Sequence, residues 1–232
     1  MNVKDEKSIA ARSAKILSLP HFASAPGGVA EKLTPFVQLM TYDPNEHIVF
    51  EGTDNYKIFW IVKGTCHCIK RVPFVKRTTN ANYAGKTIKI LPRTPDMILE
   101  PNDEPFDEML NIYELDVGNN FPELPAPTGT KSIDEKIMYV NRKEYTEQIQ
   151  GEDPRDANLK SNVSIVAKTK VEVAAITRLD YAKFAGNEML LEVINSRQIF
   201  RVPMSQLQDS YLEKRNWEVH KKKVVASIAV KK

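Results

Sequence analysis

The stretch YDPNEHIVFEGTDNYKIFWIVKGTCHC, residues 42–68, shows the chain's clearest pattern of short strands. Its short apolar runs close on Gly52 and Gly64, and glycines in such places mark turns between strands. The segment that follows, TCHCIKRV, alternates apolar and polar residues, which is the two-residue period of a strand. This part of the chain is therefore predicted to be a β-meander with a turn about every dozen residues.

Three side chains within this meander have predicted places. Trp60 is expected in the core, and because neighbours on a strand face opposite ways, only one of Phe59 and Trp60 should face the inside. The other is expected to pack against a helix. Cys66 and Cys68 should share one face, as two small buried residues rather than a disulfide or a metal site, since no further ligands lie at workable spacing.

Helical patterns precede the strands. A first helix, capped by Ser8, shows a partial apolar face and is broken by the APGG of residues 25–28. A second short helix is predicted over residues 29–40, with Pro35 ending or bending it. The apolar face of the first helix consists of Ile9, Ile16 and Leu17.

Strands and helices alternate again towards the end of the chain. VSIVAKT and VEVAAIT, within residues 163–177, are predicted as two strands. Asp180 should then cap a long helical region, and a final helix should follow Pro203. On this final helix, three apolar side chains lie roughly on one face beside three lysines: Trp217, Val224 and Ile228, with Lys221, Lys222 and Lys223.

The middle of the chain is rich in proline. Seven of its 14 prolines fall in residues 92–127, and proline lacks the N–H that a sheet or helix needs. Residues 92–109 are therefore predicted to be a surface loop, laid against a partner, and residues 110–118 to resume as a strand ending at Gly118.

An inserted helix is predicted over residues 131–150. Ser132 and Glu135 form a capping box, and Gly151 stops the helix. Its apolar stripe would be Ile133, Ile137 and Val140. A helix this short is marginal in water, so it must pack on something. It would either plug the pocket described below or dock on a neighbouring protein, and docking is the favoured expectation.

The order of helices, many short strands and helices again implies an α+β domain whose β part is a closed roll or barrel. The predicted organisation has an N-terminal helical lead-in at residues 1–41, a β-roll at residues 42–179 and C-terminal helices at residues 180–232. The roll carries insertions at about residues 73–113 and 124–160.

The composition of the chain argues against several classes of function. The chain has 232 residues, 42% of them hydrophobic and 27% charged, which is ordinary for a soluble globular protein with a real core. A net charge of +3 is too balanced to indicate nucleic acid as a partner. No apolar run approaches a membrane span of about 18 residues. The first 17 residues lack the apolar core of a secretion signal, so an intracellular protein is expected.

The order of these motifs resembles the cyclic nucleotide-binding domain, the β-roll module of protein kinase A regulatory subunits and of gated channels. The resemblance is carried by ILSLPHF at 16–22, by residues 42–68, by LDVGNNFPEL at 115–124 and by residues 161–184. LDVGNNFPEL is similar to the opening of the family's phosphate-binding cassette. The resemblance implies a jelly-roll-like antiparallel barrel flanked by N- and C-terminal helices.

The cassette departs from the family pattern at the positions that hold the ligand. The resemblance implies that Glu123 would hold a ribose hydroxyl, while helix N–H groups and an arginine would hold the phosphate. Here Pro122 replaces a glycine, Pro125 and Pro127 remove two donors, and Ser161 stands at the arginine position. The cassette is therefore expected to be disabled, and cyclic nucleotide binding to be absent or very weak.

A degenerate ligand pocket is what remains of this resemblance. Its predicted residues are Glu123, Lys160, Ser161 and Ser164. Lys160 would supply a positive charge, although a lysine cannot reproduce the planar fork of arginine. No metal and no cofactor is implied.

The leading hypothesis is a non-enzymatic structural or scaffold protein. The ending RNWEVHKKKVV resembles the tail of cyclic nucleotide-binding domain-containing proteins of cilia and flagella. The resemblance implies an axonemal protein, or otherwise a cytoplasmic one, that contacts tubulin or neighbouring structural proteins. The run Lys221–Lys223, with Lys231 and Lys232, would suit an acidic tubulin surface, and a solvated helix face is the alternative interpretation.

Two other classes of function stay open at this point. One is a regulatory sensor module for a cyclic nucleotide, favoured by Glu123 and Ser164. The other is an enzyme on another barrel, such as a metal-dependent cupin. Against the enzyme, the histidines show no paired ligand spacing, and neither a nucleophile motif nor a P-loop pattern is present. These histidines are His21, His47, His67 and His220.

Overall fold

The computed structural model describes the chain over residues 13–25, 27–53, 56–81, 85–130, 136–151 and 160–229. Within the chain there are two compact units. The first consists of Met1–Lys70 and Asn111–Arg201, and the second of Arg71–Leu110 and Val202–Lys232. The predicted cap at Ser8 and the capping box of Ser132 and Glu135, with Ile9 and Ile133, lie outside the described residues.

The described strands, numbered in chain order, are β1 (Gln38–Tyr42), β2 (His47–Val49), β3 (Lys57–Lys63), β4 (Cys66–Ala81), β5 (Gly85–Pro92), β6 (Asp103–Leu115), β7 (Asn120–Phe121), β8 (Ser164–Ala167) and β9 (Val171–Thr177). The described helices are α1 (residues 13–17), α2 (Pro20–Ala23), α3 (Val29–Leu33), α4 (Arg142–Gly151), α5 (Arg178–Phe184), α6 (Asn187–Asn195) and α7 (Met204–Ala229). Short 3-10 turns cover Thr34–Phe36 and Ser196–Phe200.

The first unit contains an antiparallel sheet in the order β1-β9-β3-β7. Ala175 of β9 faces Gln38 of β1 on one side and Phe59 of β3 on the other. In the same unit β8 lies between β2 and the first residues of β4. The α+β class with antiparallel sheets is thus confirmed, with the strands at 42–68 and 163–177 where the sequence predicts them.

The prediction of a closed barrel is wrong, because the sheets of this roll stay open. The first sheet ends in β7, whose two residues form a ladder with β3, with further backbone hydrogen bonds joining Ile61 to Gly118 and Asn119. Pro122 follows directly and has no backbone N–H to continue the ladder. On the side of Pro122, the ladder with β3 therefore ends at Phe121.

Strand β3 separates two buried clusters of the first unit. Its Trp60 is fully buried among side chains of the flanking helices, with its ring centroid 5.0 Å from that of Phe22 and 5.3 Å from that of Tyr181. Its Phe59 faces the other way and stacks on Phe121 at 5.3 Å, in a cluster built from the strands. The predicted burial of Trp60 and the opposite directions of Phe59 and Trp60 are both confirmed.

The cysteines lie in the strand cluster. Cys66 and Cys68 are both buried and both free, as expected for alternate residues of one strand. Burial raises the pKa of each thiol to about 12. The turn before them needs its glycine, since Gly64 has φ +88° and a Cβ there would lie 2.5 Å from the carbonyl oxygen of Lys170.

The second unit is built on a long β-hairpin and helix α7. β4 and β5 pair from Phe74↔Pro92 to Ala81↔Gly85. The buried Phe74 ring lies 5.7 Å from Phe106 and 4.5 Å from Tyr211 of α7. The amide of Gln208 on α7 donates to the carbonyl oxygens of Pro73 and Arg93.

The surface loop predicted for residues 92–109 is only partly present. Residues 93–102 contain no strand or helix, but Asp103 begins β6, which pairs with β4. Among the described strands, β6 pairs with β4 alone, so it lies at an edge of its sheet, where a proline such as Pro105 is tolerated. The proline content of this segment predicted a loop, and that prediction is wrong from Asp103 onwards, where the chain forms β6.

Three helix predictions need correction. Residues 29–40 do not form one helix, since α3 ends at Leu33 and β1 begins at Gln38 after the 3-10 turn that contains Pro35. The long region after residue 180 is two helices, α5 and α6. Its cap is Thr177, whose Oγ1 accepts the backbone N–H of Asp180.

The inserted helix is shorter than predicted. α4 spans Arg142–Gly151, so Ile137 and Val140 precede it and do not form a helical stripe. Val140 is nevertheless buried in the helix-side cluster, together with Tyr145 and Ile149 of α4. The buried apolar side chains of this element are thus used within the chain. Its docking on a neighbouring protein stays a prediction. The domain boundaries at residues 41 and 179 stay a prediction.

Candidate functional site

The cassette-like stretch contains no helix in residues 117–130, all of which are described. A turn at Val117–Gly118 leads into β7, and residues 122–127 continue without regular structure to a turn at Thr128–Gly129. The resemblance predicts here the start of a short helix whose N–H groups face a phosphate. That row of donors is not formed in this stretch.

Glu123 is held by arginine side chains of its own chain. Its carboxylate, with only 9% of the side chain exposed, accepts a hydrogen bond from Nε of Arg201 at 2.8 Å. Its carbonyl oxygen accepts from Nη2 of Arg178 at 3.3 Å. The residue predicted to hold a ribose hydroxyl thus forms a charge-assisted pair within the chain.

Helix α4 fastens the proline-rich residues that follow Glu123. The hydroxyl of Tyr145 donates to the carbonyl oxygen of Pro125 at 2.8 Å. Gln148 donates through Nε2 to the carbonyl oxygen of Ala126 at 3.0 Å and accepts the N–H of Thr128 at 2.8 Å. The backbone of this stretch is therefore satisfied by α4 rather than by a ligand.

The two predicted serines also have protein partners. Buried Ser161 donates through Oγ to the carbonyl oxygen of Val163 at 2.7 Å, and its backbone pairs with Thr53 and Gly52. The Oγ of buried Ser164 accepts the N–H of Glu51 at 3.0 Å. Lys160 is exposed.

Lys70 places a positive charge beside these serines, and the sequence reasoning missed it. Its Nζ lies 2.9 Å from Oε1 of Glu51 and donates to the carbonyl oxygen of Asn162. Residues 66, 68 and 70 alternate along β4 and therefore share one face of the strand. A charged residue on the same face as two buried cysteines was the sign in the sequence that Lys70 has a special role. Because Glu51 already neutralises it, the ammonium is engaged within the protein.

The four predicted pocket residues fall into separate hydrogen-bond groups. Within the described ranges, no hydrogen bond joins Glu123 to Lys160, Ser161 or Ser164. An open surface depression of about 490 Å³ is lined by other residues, among them Pro127, Lys136 and Tyr139. The degenerate pocket made of those four residues stays a prediction.

The described residues show neither a metal centre nor a membrane-spanning helix. They contain no group of three or more histidine, cysteine, aspartate or glutamate side chains arranged to hold a metal ion. None of their helices has the length and apolar character needed to cross a membrane.

No protein-family model matches the sequence, and no curated protein matches it. Solved structures do resemble the chain. The regulatory subunit of a cAMP-independent protein kinase A from Trypanosoma brucei is 12% identical over 88% of this chain and 53% of that chain, with a TM-score of 0.44. The regulatory domain of Toxoplasma gondii PKA, co-crystallised with cAMP, is 9% identical over 83% and 50%, with a TM-score of 0.44.

A cyclic nucleotide-binding domain from Methylobacillus flagellatus is 11% identical over 94% of this chain and 85% of that chain, with a TM-score of 0.38. The chain spans about half the length of the two kinase regulatory structures. The solved structures that the chain resembles thus include cyclic nucleotide-binding domains.

Proposed function

We propose that the protein is a non-enzymatic structural or scaffold protein whose cyclic nucleotide-binding-like domain has lost its ligand. The observation that carries this proposal is the pair between Glu123 and Arg201. A carboxylate that would hold a ribose hydroxyl is instead buried against a guanidinium of the same chain. A nucleotide would have to displace that guanidinium before it could use the carboxylate.

The phosphate half of the site supports the same proposal. Ser161 stands where an arginine would pair with the phosphate, and its hydroxyl already donates a hydrogen bond to the carbonyl oxygen of Val163. Loss of a charged hydrogen-bonded partner typically costs a few kcal/mol, and about 1.4 kcal/mol is tenfold in affinity. With the helix donors also missing from residues 117–130, affinity would fall from micromolar to about millimolar or worse.

The place of action proposed is a ciliary or flagellar axoneme. The support is the resemblance of RNWEVHKKKVV to the tails of ciliary proteins with this domain, and that segment lies on the exposed part of α7. The partners proposed are tubulin or other structural proteins, rather than nucleic acid or membrane. Expression of the tagged chain in a ciliated cell tests this, because a signal confined to the cytosol and absent from isolated axonemes would contradict it.

Titration calorimetry with cyclic AMP and cyclic GMP tests the loss of ligand binding. The expected result is no binding, and a dissociation constant below about 10 μM for either nucleotide would overturn the proposal. The melting temperature gives a second readout. A ligand present at 100 times its Kd would stabilise the fold by about 2.7 kcal/mol.

The second candidate is a cyclic nucleotide-responsive sensor whose pocket is covered by its own chain. The observation in its favour is that the Glu123 carboxylate is retained and that one side chain, Arg201, occupies it. The Arg201→Ala variant separates the two candidates. Nucleotide binding that appears in this variant, but not in the matched control Arg142→Ala at an exposed position of α4, would favour the sensor.

A further inference from the structure

Most of helix α7 is exposed, and no packing of that part against the other described residues is seen. Its first turns pack on the rest of the second unit through Leu207, Gln208 and Tyr211. From residue 213 to residue 228 every residue is exposed. That stretch is about 24 Å of helix, and a helix without tertiary packing is only marginally stable in water. An exposed helix of this length is suited to packing against another molecule.

The exposed stretch presents a narrow apolar seam. Residues 217, 221, 224 and 228 follow one another at intervals of four, three and four, which places them on one face with the spacing of a coiled-coil seam. Trp217, Val224 and Ile228 on this face are 65%, 41% and 60% exposed. Lys221 is the one charged residue among these four seam positions.

The charge of this stretch identifies the kind of partner. Residues 213–228 carry five basic and two acidic side chains, and three of the basic ones are consecutive at Lys221–Lys223. A second copy of the helix would bring the same excess of positive charge to a distance of about 8–10 Å, where salt screens it incompletely. An acidic partner is complementary to this charge instead.

A lipid surface fits the stretch less well. A helix that lies in a membrane interface buries a broad apolar face. Here Glu218 and Lys221 flank or interrupt the seam, and only one further apolar residue, Val225, lies beside it. A narrow seam with a lysine in it is the pattern of helix pairing, where the partner supplies a carboxylate opposite the lysine.

We propose that residues 213–228 form a docking helix for an acidic amphipathic helix of a partner protein. Trp217, Val224 and Ile228 pack into the partner's apolar seam, and Lys221 between them meets one of its carboxylates. Lys222 and Lys223 point away from the seam, about 100° and 200° further round the helix, and add longer-range attraction to the acidic partner. This inference rests on the proposed scaffold role and names the surface through which the protein would join an assembly. The docking proposal does not depend on Glu123, which carries the proposed loss of nucleotide binding.

The test uses the full chain, in which Trp217 reports docking directly. The chain has two tryptophans, and Trp60 is fully buried, so a change in emission of the exposed residue stands out. The probe is a synthetic three-heptad helix with leucine at the seam positions and glutamate beside them. The expected result is a saturable blue shift that weakens with added salt and is missing in Trp217→Phe.

Matched variants separate the seam from general effects. Reversing the charge at Lys221, Lys222 and Lys223 to glutamate should weaken binding at least about tenfold. The same reversal at the exposed Lys32, Lys143 and Lys183 of other helices should leave binding unchanged. For the apolar part, Val224→Ser should weaken binding, whereas Val219→Ser, on the other side of α7, should not.

Three results would overturn the inference. They are no emission change with the acidic probe, a blue shift that phosphatidylserine-containing vesicles produce and the probe does not, and self-association in sedimentation that Val224→Ser abolishes. If the probe fails while calorimetry still finds no nucleotide binding, the docking inference alone falls. If a nucleotide binds tightly, the proposed loss of ligand binding falls instead.

Discussion

His21 is held to Tyr181 by a buried hydrogen bond, with 2.7 Å between the imidazole Nε2 and the phenol oxygen. Tyr181 donates its own proton to the carbonyl oxygen of Met189 at 3.0 Å, so its oxygen must accept from Nε2–H. The other ring nitrogen, Nδ1, lies 2.9 Å from a carboxylate oxygen of Glu192. These contacts together form a latch that ties α2 to helices α5 and α6.

The latch predicts how acid weakens the fold. The hydrogen bond from His21 holds the pKa of Glu192 below its usual value of 4.5. A carboxylate with a lowered folded pKa contributes stability above the unfolded pKa, and that contribution is lost as pH falls through the folded pKa. Glu192→Gln should therefore flatten the decline of unfolding free energy below about pH 4.5 in urea titrations.

The size of that effect should be small, about 1 kcal/mol or less at neutral pH, since the Glu192 side chain is 60% exposed and solvent screens the pair. Glu188→Gln on the same helix is the matched control. An identical acid profile for Glu192→Gln and the unmodified chain would contradict the latch.

Trp60→Ala should lower the unfolding free energy by about 3–5 kcal/mol, because it empties a fully buried site among His21, Phe22 and Tyr181. The same change at exposed Trp217 should alter stability by less than about 0.5 kcal/mol. Denaturant unfolding of both variants measures the difference. Equal melting temperatures for the two variants would show that the cluster around Trp60 does not support the fold.

Tyr145→Phe should cost about 0.5–1.5 kcal/mol, since it removes the hydroxyl that satisfies the carbonyl oxygen of Pro125 and keeps the buried ring. Tyr139→Phe, at an exposed position just before α4, should be neutral. Thermal unfolding compares them. A neutral Tyr145→Phe would mean that α4 does not fasten the cassette-like stretch.

The two cysteines should be unreactive in the folded protein. Since burial raises the pKa of both thiols from 9.0 to about 12, alkylation by iodoacetamide at pH 8 should be slow until urea unfolds the chain. The sign for stability follows from linkage. The unfolded thiols lose protons above pH 9 while the folded ones keep them, so stability should fall between about pH 9 and pH 12.

Replacing both cysteines by alanine should reduce that alkaline loss, although the tyrosines Tyr42 and Tyr181, whose pKa values burial also raises, add to it. Rapid alkylation of the native chain would show that the strand cluster opens readily.

The sequence predicted best where one local pattern decides the structure. The run around Trp60 is apolar, short and bounded by turn glycines, so its strand and its burial followed directly. Local patterns gave wrong predictions where a helical spacing competes with pairing to a distant strand. Residues 29–40 contain apolar spacing that fits a helix, yet Leu39 belongs to a strand that pairs with β9. Such pairing is set by distant residues and leaves no local mark.

For the candidate site, the sequence predicted only which ligand-holding residues are missing. The prolines after Phe121 and the serine at residue 161 are visible in the sequence. The replacement partner of Glu123 is not, because Arg201 lies 78 residues away and nothing local connects them. The sequence does show that Lys70 shares a strand face with Cys66 and Cys68. It does not show the ion pair with Glu51 that neutralises this lysine.

The central place of β9 has a consequence for biosynthesis. β1 and β3 emerge early from the ribosome, but the strand that joins them, β9, is completed only at Thr177. Until then neither has its main partner, and pairing between such distant segments is slow because a long loop must close first. The sheet of the first unit must therefore form after most of the chain has been translated. A truncation before residue 171 would remove the middle of that sheet and leave two unpaired edges exposed to aggregation.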